Sequence, residues 1–250
     1  MSCPNLTNHN NRMMQRPGID SVSKKRFGLG TINIPTSEHR SMEDGQDQNE
    51  LFDVMPDPAK LGIITDEALI VNLKRANQDG LFRTVTRKQA HAEGIWHRSI
   101  GLWLYTSDRK VIVQRRSELK DTNPGNWQMS VAGHVSSGDS VEEAVLSEAH
   151  EELGLTLSRD DLRFVGAMTR QESGSTSRFG NHVDREYKFL FMAKLPAHAE
   201  VKFNPAEIQE IEFMDCETAF AKFKNRDPAY CRMDRWGLDE CLKLIKQSTQ

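Results

Sequence analysis

Three glutamates, Glu148, Glu151 and Glu152, follow one another at spacings of three and one residues. On a helix of 3.6 residues per turn such positions share one face. Like charges placed this way repel by roughly 0.2–0.5 kcal/mol per pair, so the helix gains little from gathering them. A hard divalent ion, Mg2+ or Mn2+, removes the repulsion, because such ions prefer carboxylate oxygens. A cation held there would neutralise phosphate charge and lower the pKa of bound water. Taken without their context, the same three residues also describe a solvated acidic face.

The elements that must position these acids are readable around them. Ser140, Val141, Glu142 and Glu143 fit a capping box, with the second glutamate three residues after the cap. Val141, Val145, Ala149 and Leu153 recur every four residues, giving an apolar stripe beside the carboxylates. Gly154 is the expected C-terminal stop. Upstream, residues 100–105 read as a buried strand. A turn at Ser107 and Asp108 leads to residues 110–114, the return strand of a hairpin. Residues 123–126 signal a turn, and residues 127–132 a short strand stopped at Gly133.

Further strands are expected at residues 164–168, 187–193 and 210–214, and helices at 216–223 and 236–247. Residues 51–54 form a candidate first strand, closed by Pro56 and Pro58, with a short helix near 66–75. Residues 173–177, flanked by Arg170 and Arg178, read as a flexible loop or as one that closes over phosphates. The mixture predicts one α/β (α+β) domain over residues 49–250, preceded by a disordered tail over residues 1–48.

Composition narrows the functional classes. A net charge of -3 argues against a general nucleic-acid binder, which carries a basic excess. No apolar run of about 18 residues occurs, so no membrane span is expected. The N-terminus lacks the apolar stretch of a secretory signal, and a cytoplasmic protein is the expectation. Cys3, Cys216, Cys231 and Cys241 form no CxxC pair, which fits core or bystander thiols in a reducing compartment. Trp96, Trp103 and Trp127 are expected as core or pocket walls rather than as a stacking platform. Neither a phosphate-cradling GxxxxGK[ST] loop nor a serine-hydrolase signature is present.

The stretch from Gly133 through Asp139 and Ser147 to Glu148, Ala149, Glu151, Glu152, Gly154 and Leu155 resembles the Nudix box. It departs at two positions: Asp139 stands where the family has Glu, and Ser147 where it has Arg. The resemblance implies a mixed β-sheet sandwiched between helices. It also implies metal-assisted attack of water on a diphosphate, with Mg2+ or Mn2+ held by Glu151, Glu152, Glu148 and the carbonyl of Gly133. Glu148 would bind metal or hold the attacking water as base. Glu148 and Glu151 are the catalytic candidates, and Glu186 is the candidate that completes the metal set from a later strand. The Arg of the family helps to orient its neighbouring Glu, so Ser147 bears on catalytic efficiency.

Beyond the box, His97, Arg98, Gln114, Arg115, Arg116, Lys120 and the run Pro124, Gly125, Asn126, Trp127 resemble the isopentenyl diphosphate isomerase branch of that superfamily. The resemblance implies that Arg116 and Lys120 contact a substrate diphosphate, as fixed cations do; Arg98 joins them as a candidate. It also implies a second metal site, suited to zinc or manganese, at His97, His134, Asp184 and Glu186, with His91 matching across a one-residue gap. The isomerase cysteine, however, is replaced here by Ala132. Without that proton donor, double-bond isomerisation should fail. The expectation is therefore a hydrolase acting on a small organic or nucleoside diphosphate. An isomerase and a non-catalytic ligand-binding protein are the alternatives, and no oligomeric state is readable.

Overall fold

The computed structural model describes residues 46–249, apart from 76, 78–81, 121, 177–179 and 197. Most of the expected tail and the candidate Arg178 therefore lie outside the described residues. The chain opens with β1 (Leu51–Asp53), β2 (Gly62–Ile64), α1 (Glu67–Lys74), β3 (Thr84–Thr86) and α2 (Arg87–Glu93). It continues through β4 (His97–Tyr105), β5 (Lys110–Arg116), β6 (Trp127–Gln128), β7 (Val131–His134) and α3 (Val141–Leu153). Then come β8 (Arg163–Thr176), β9 (Gly180–Lys194), β10 (Ile208–Asp215), α4 (Cys216–Lys224) and α5 (Arg235–Ser248).

The main sheet runs β10-β5-β4-β9-β8-β2, with β7 also on β4 and β6 on β5. Among the described strand ladders of this sheet β4 and β9 pair in parallel, setting His97 beside Glu186, and the others are antiparallel. Every residue of β4 is buried, because both faces of the sheet are covered. Successive side chains of a strand point to opposite faces. Ile100, Leu102 and Leu104 accordingly pack with Val141, Val145, Ala149 and Leu153 of α3. Trp103 and Tyr105 instead join Phe220 and Phe223 of α4 and Leu238, Cys241 and Ile245 of α5. The result is the expected mixed sheet between helices. A small sheet of β1 and β3 sits with α2, built on Phe52, Val85 and Ala90.

α3 begins and ends as its residues dictate. Ser140 Oγ accepts from the Glu143 backbone N–H at 3.3 Å, while the Ser140 N–H donates to Glu143 Oε2 at 2.9 Å. Gly154 closes the helix at φ 66°, a left-handed conformation that glycine takes without steric cost.

The expected hairpin is present, antiparallel about the turn at Ser107 and Asp108, but brief. β4 and β5 pair only at Tyr105 and Val111; beyond that they part, β7 pairing with β4 and β6 with β5. Ser130 bridges the divergence: its hydroxyl donates to Ile112 O at 2.6 Å and accepts from Leu104 N–H at 2.9 Å. For the same reason the strand expected over residues 127–132 is two strands, and β7 passes through Gly133 rather than stopping there. The flexible loop expected at 173–177 is strand as far as Thr176, paired residue by residue with β9. Main-chain pairing needs no particular side chain, so its Gly and Ser content misdirects. The short elements β2, β3 and α2 are too brief to show periodicity.

Candidate active site

α3 carries its three glutamates to the backbone of β7. Glu152 is buried; its Oε2 accepts from Gln114 Nε2 at 2.7 Å and from the Ala132 N–H at 3.4 Å. Gln114 is itself held by Ser130 O at 2.9 Å, so β5 fixes the carboxylate. Glu148 is half-buried and lies so close to Gly133 that a Cβ at that position would overlap its carboxylate. Glu151 stands at the exposed rim, where Ser147 Oγ donates to its Oε1 at 2.9 Å. The serine at the family's Arg position thus still holds this glutamate. All three acids line one pocket with Gly133, Lys120 and Glu207.

Burial and then the nearness of Glu152 and Glu151 push the Glu148 carboxyl well above its usual range. Burial also pushes Glu152 up to about 7, against the pull of Lys120 and the bond from Gln114. Lys120, paired with Glu207, is pushed down to about 8 by burial and by Arg116. These carboxylates resist ionising together, which is the strain a hard divalent cation relieves. Their donor set, with the adjoining Gly133 backbone, fits Mg2+ or Mn2+.

A second cluster gathers four donors from four elements. His91 of α2, His97 of β4, His134 of β7 and Asp184 of β9 have ligand atoms all within 4.8 Å of one another. The Nε2 atoms of the three histidines and Asp184 Oδ1 are buried and lack hydrogen-bond partners. His97 Nδ1 lies 2.8 Å from the Ile95 carbonyl, which can only accept. Nδ1 therefore carries a proton, and in the neutral ring Nε2 offers its lone pair to the cluster. The rings of His97 and His134 stack on Phe52 at 4.9 Å. Burial pushes His91 down to about 3 and His134 well below its ordinary value. Asp184 is also subject to burial, which would raise it, but His97 and His91 hold it well below the usual carboxylate range. Orphaned nitrogens beside an ionised carboxylate fit a transition-metal ion such as zinc or manganese. α2 brings His91 in despite the gap in the sequence match.

The expected role of Arg98 is corrected, and of the two placements expected for Glu186 the one beside the histidines is found. Glu186 does not line the pocket of the three glutamates; its Oε1 lies 3.7 Å from His134 Nε2 and its Oε2 3.6 Å from Arg170. The parallel register with β4 places it beside the histidines. Arg98, expected at the substrate, is buried as a strut. It pairs with Asp53 at 2.7 Å and donates to the carbonyls of Arg75 at 2.7 Å and Asp139 at 2.9 Å.

Arg116 and Lys120 do line a cleft, of about 670 Å³, which also borders Gly133, His134, Asp184 and Glu186. Arg116 is oriented by Thr122 O at 2.9 Å and Gln128 Oε1 at 3.0 Å. Arg170, expected beside a segment that closes over phosphates, and Lys188 line the same cleft, and Gln114 fixes Glu152; the last two have no such role in the sequence reading. No spacing rule could find them, since strand pairing assembles them from distant segments.

The chain matches the NUDIX domain over residues 95–235. It is 27% identical over 167 residues to "Nudix hydrolase 3" of Arabidopsis thaliana, covering 66% of this chain and 22% of that protein. It is 31% identical over 126 residues to an uncharacterized Nudix hydrolase of Clostridium acetobutylicum, covering 49% and 58%. An isopentenyl-diphosphate Delta-isomerase of Dinoroseobacter shibae is 27% identical over 156 residues, covering 61% and 82%. The match thus spans about a fifth of the first relative's length and just over half of the second's.

Proposed function

The chain belongs to the Nudix family, and from that premise we propose that it is a metal-dependent hydrolase of a small organic diphosphate. One observation carries the reading: Glu148, Glu151 and Glu152 meet the Gly133 backbone and Lys120 in a single pocket that adjoins a cationic cleft. Lys120 and Arg116 hold and orient the phosphates, offsetting their charge. Glu148, Glu151 and Glu152 hold Mg2+ or Mn2+, which when bound supplies charge neutralisation and a more acidic water. Glu148, set against the Gly133 backbone, holds the metal or takes the proton of the attacking water. Ser147 keeps Glu151 in place. The ligand is a small molecule. Among the described residues no helix is long and apolar enough to cross a membrane.

The test is phosphate release from a panel of organic and nucleoside diphosphates with Mg2+ or Mn2+, beside Glu151→Gln. Metal-dependent turnover is expected in the wild type and its loss in the variant. Equal rates in the two proteins would overturn the assignment.

A second reading is favoured by the cluster of His91, His97, His134 and Asp184 with Glu186 beside it, since the resemblance ties such a set to the isomerases. Ala132 speaks against it, because it cannot give a proton to a double bond. Incubation with isopentenyl diphosphate distinguishes the two: the dimethylallyl isomer marks an isomerase, and free phosphate marks a hydrolase.

A further inference from the structure

The two ends of the main sheet are built differently. β10 closes one edge and presents Gln209, Glu210, Glu212 and Asp215 to solvent. Charges of one sign along an edge keep a second strand away. β2 closes the other edge with Gly62, Ile63 and Ile64, and no charge lies between Lys60 and Asp66. An edge without such protection is a template for another strand.

The backbone of β2 is turned for that pairing. The Gly62 N–H donates to Thr169 Oγ1 at 2.8 Å, and the Thr169 hydroxyl donates to the Gly62 carbonyl at 3.2 Å, so both polar groups of Gly62 face β8. In an antiparallel ladder this orientation alternates, and Ile63 turns its N–H and C=O away from β8. A Cβ added at Gly62 would meet nothing within 4 Å, so the edge is open there.

The side chains around the edge are apolar. Of the eight large apolar side chains exposed among the described residues, Leu61, Ile63, Leu69 and Val71 fall within eleven positions. Ile64 packs on the core shared with α3, which leaves Ile63 on the other face of the strand. α1, separated from β2 by two residues, sends Ile70 and Leu73 into the same core and turns Leu69 and Val71 outward.

The charges that flank this segment select its partner. Lys60 stands three residues before Ile63, and Asp66 three residues after it. Two copies of β2 laid antiparallel about Ile63 set each Lys60 opposite the Asp66 of the other copy, and each Leu61 opposite a Thr65. Asp66 is extended and caps α1 through Oδ1, which accepts from the Leu69 N–H at 3.0 Å. One patch therefore supplies both halves of each ion pair, which is the self-complementarity of a two-fold interface.

We propose that this protein forms a two-fold dimer through β2, the sheets of two copies joined edge to edge, with Leu69 and Val71 of both α1 helices covered by the same contact. Main-chain pairing over three residues is weak alone, so the apolar side chains of β2 and α1 supply the contact area.

The test is the mass of the full chain by light scattering over a concentration series. Twice 28.5 kDa is expected at the upper end. Ile63→Lys sets two like charges on the axis and is expected to leave a monomer with an unchanged circular dichroism spectrum. Lys60→Glu opposes each Asp66 with a like charge and is expected to raise the dissociation constant roughly tenfold. Adding Asp66→Asn, which keeps the helix cap, is expected to recover most of that loss. A wild type of 28.5 kDa at every concentration overturns the proposal, and so does a dimer that survives Ile63→Lys. A loss in Lys60→Glu that Asp66→Asn fails to recover overturns the antiparallel register.

Discussion

Gly133 is where one missing methyl group decides the chemistry. Its backbone lies against the Glu148 carboxylate, and a Cβ would occupy the space the carboxylate now fills. Gly133→Ala should therefore displace Glu148 while leaving the sheet paired, since β7 is ordinary strand at this point. A displacement of about 1 Å at a reacting group can cost on the order of 100-fold in rate. The expected outcome is a loss of that size in metal-dependent phosphate release, with melting temperature and circular dichroism near those of the wild type. Wild-type turnover in this variant would show that the close approach is dispensable. The same scale explains what sequence reading reached. Glu148, Glu151 and Glu152 were legible because a helix fixes their spacing. Lys188, Gln114 and the hydrogen bond of Ser147 were not, because strand register and side-chain rotamers are invisible in a linear pattern. Of the two placements the resemblance offers Glu186, its neighbour across β4 selects the one beside the histidines, and the carboxylate of Asp53 makes Arg98 a strut.

Arg98 shows how elements are locked together before any site can work. Its guanidinium joins Asp53 of β1, the carbonyls of Leu73 and Arg75 at the end of α1, and Asp139 O just before α3. Asp53 is held in turn by Asn77 and Ser137. The loop that launches the acidic helix is thus tied to the N-terminal layer through one buried ion pair. Breaking such a pair leaves an uncompensated buried charge, at a cost of about 3–5 kcal/mol. Arg98→Met should lower the unfolding free energy read from a urea titration by that amount, with an unchanged slope, and Arg98→Met with Asp53→Leu should recover part of the loss. A single-variant cost below about 1 kcal/mol, the range of an exposed pair, would refute the strut. At this scale the long elements were legible from periodicity and caps, α3 to the residue. The parting of β4 from β5 was not, since it depends on the Ser130 bridge between distant strands.

The four donors of the histidine cluster come from α2, β4, β7 and β9, so a metal there would fasten the N-terminal layer to the main sheet. Without an ion, the four buried polar atoms lack hydrogen bonds and are held by the longer contacts of His97 at 3.4 Å and His91 at 3.8 Å to Asp184, a cost of the kind folded chains avoid. Metal bound to the native state alone stabilises by mass action, about 4 kcal/mol when it is present at a thousand times its dissociation constant. For a chain of this length that corresponds to roughly 8–16 °C in melting temperature. Protein purified without added metal should therefore carry a tightly held transition metal, detectable by elemental analysis. Chelation should lower its melting temperature by that margin. Zinc or manganese should restore it, and magnesium should not, because a set of three imidazole nitrogens and one carboxylate suits the softer ions. His97→Ala should abolish both the retained metal and the response to the chelator, while the glutamates of α3, which use oxygen donors only, keep their affinity for magnesium. A melting temperature indifferent to chelation in a metal-free preparation would mean that the cluster holds its four bare atoms together without an ion, and the fastening role would fall with it.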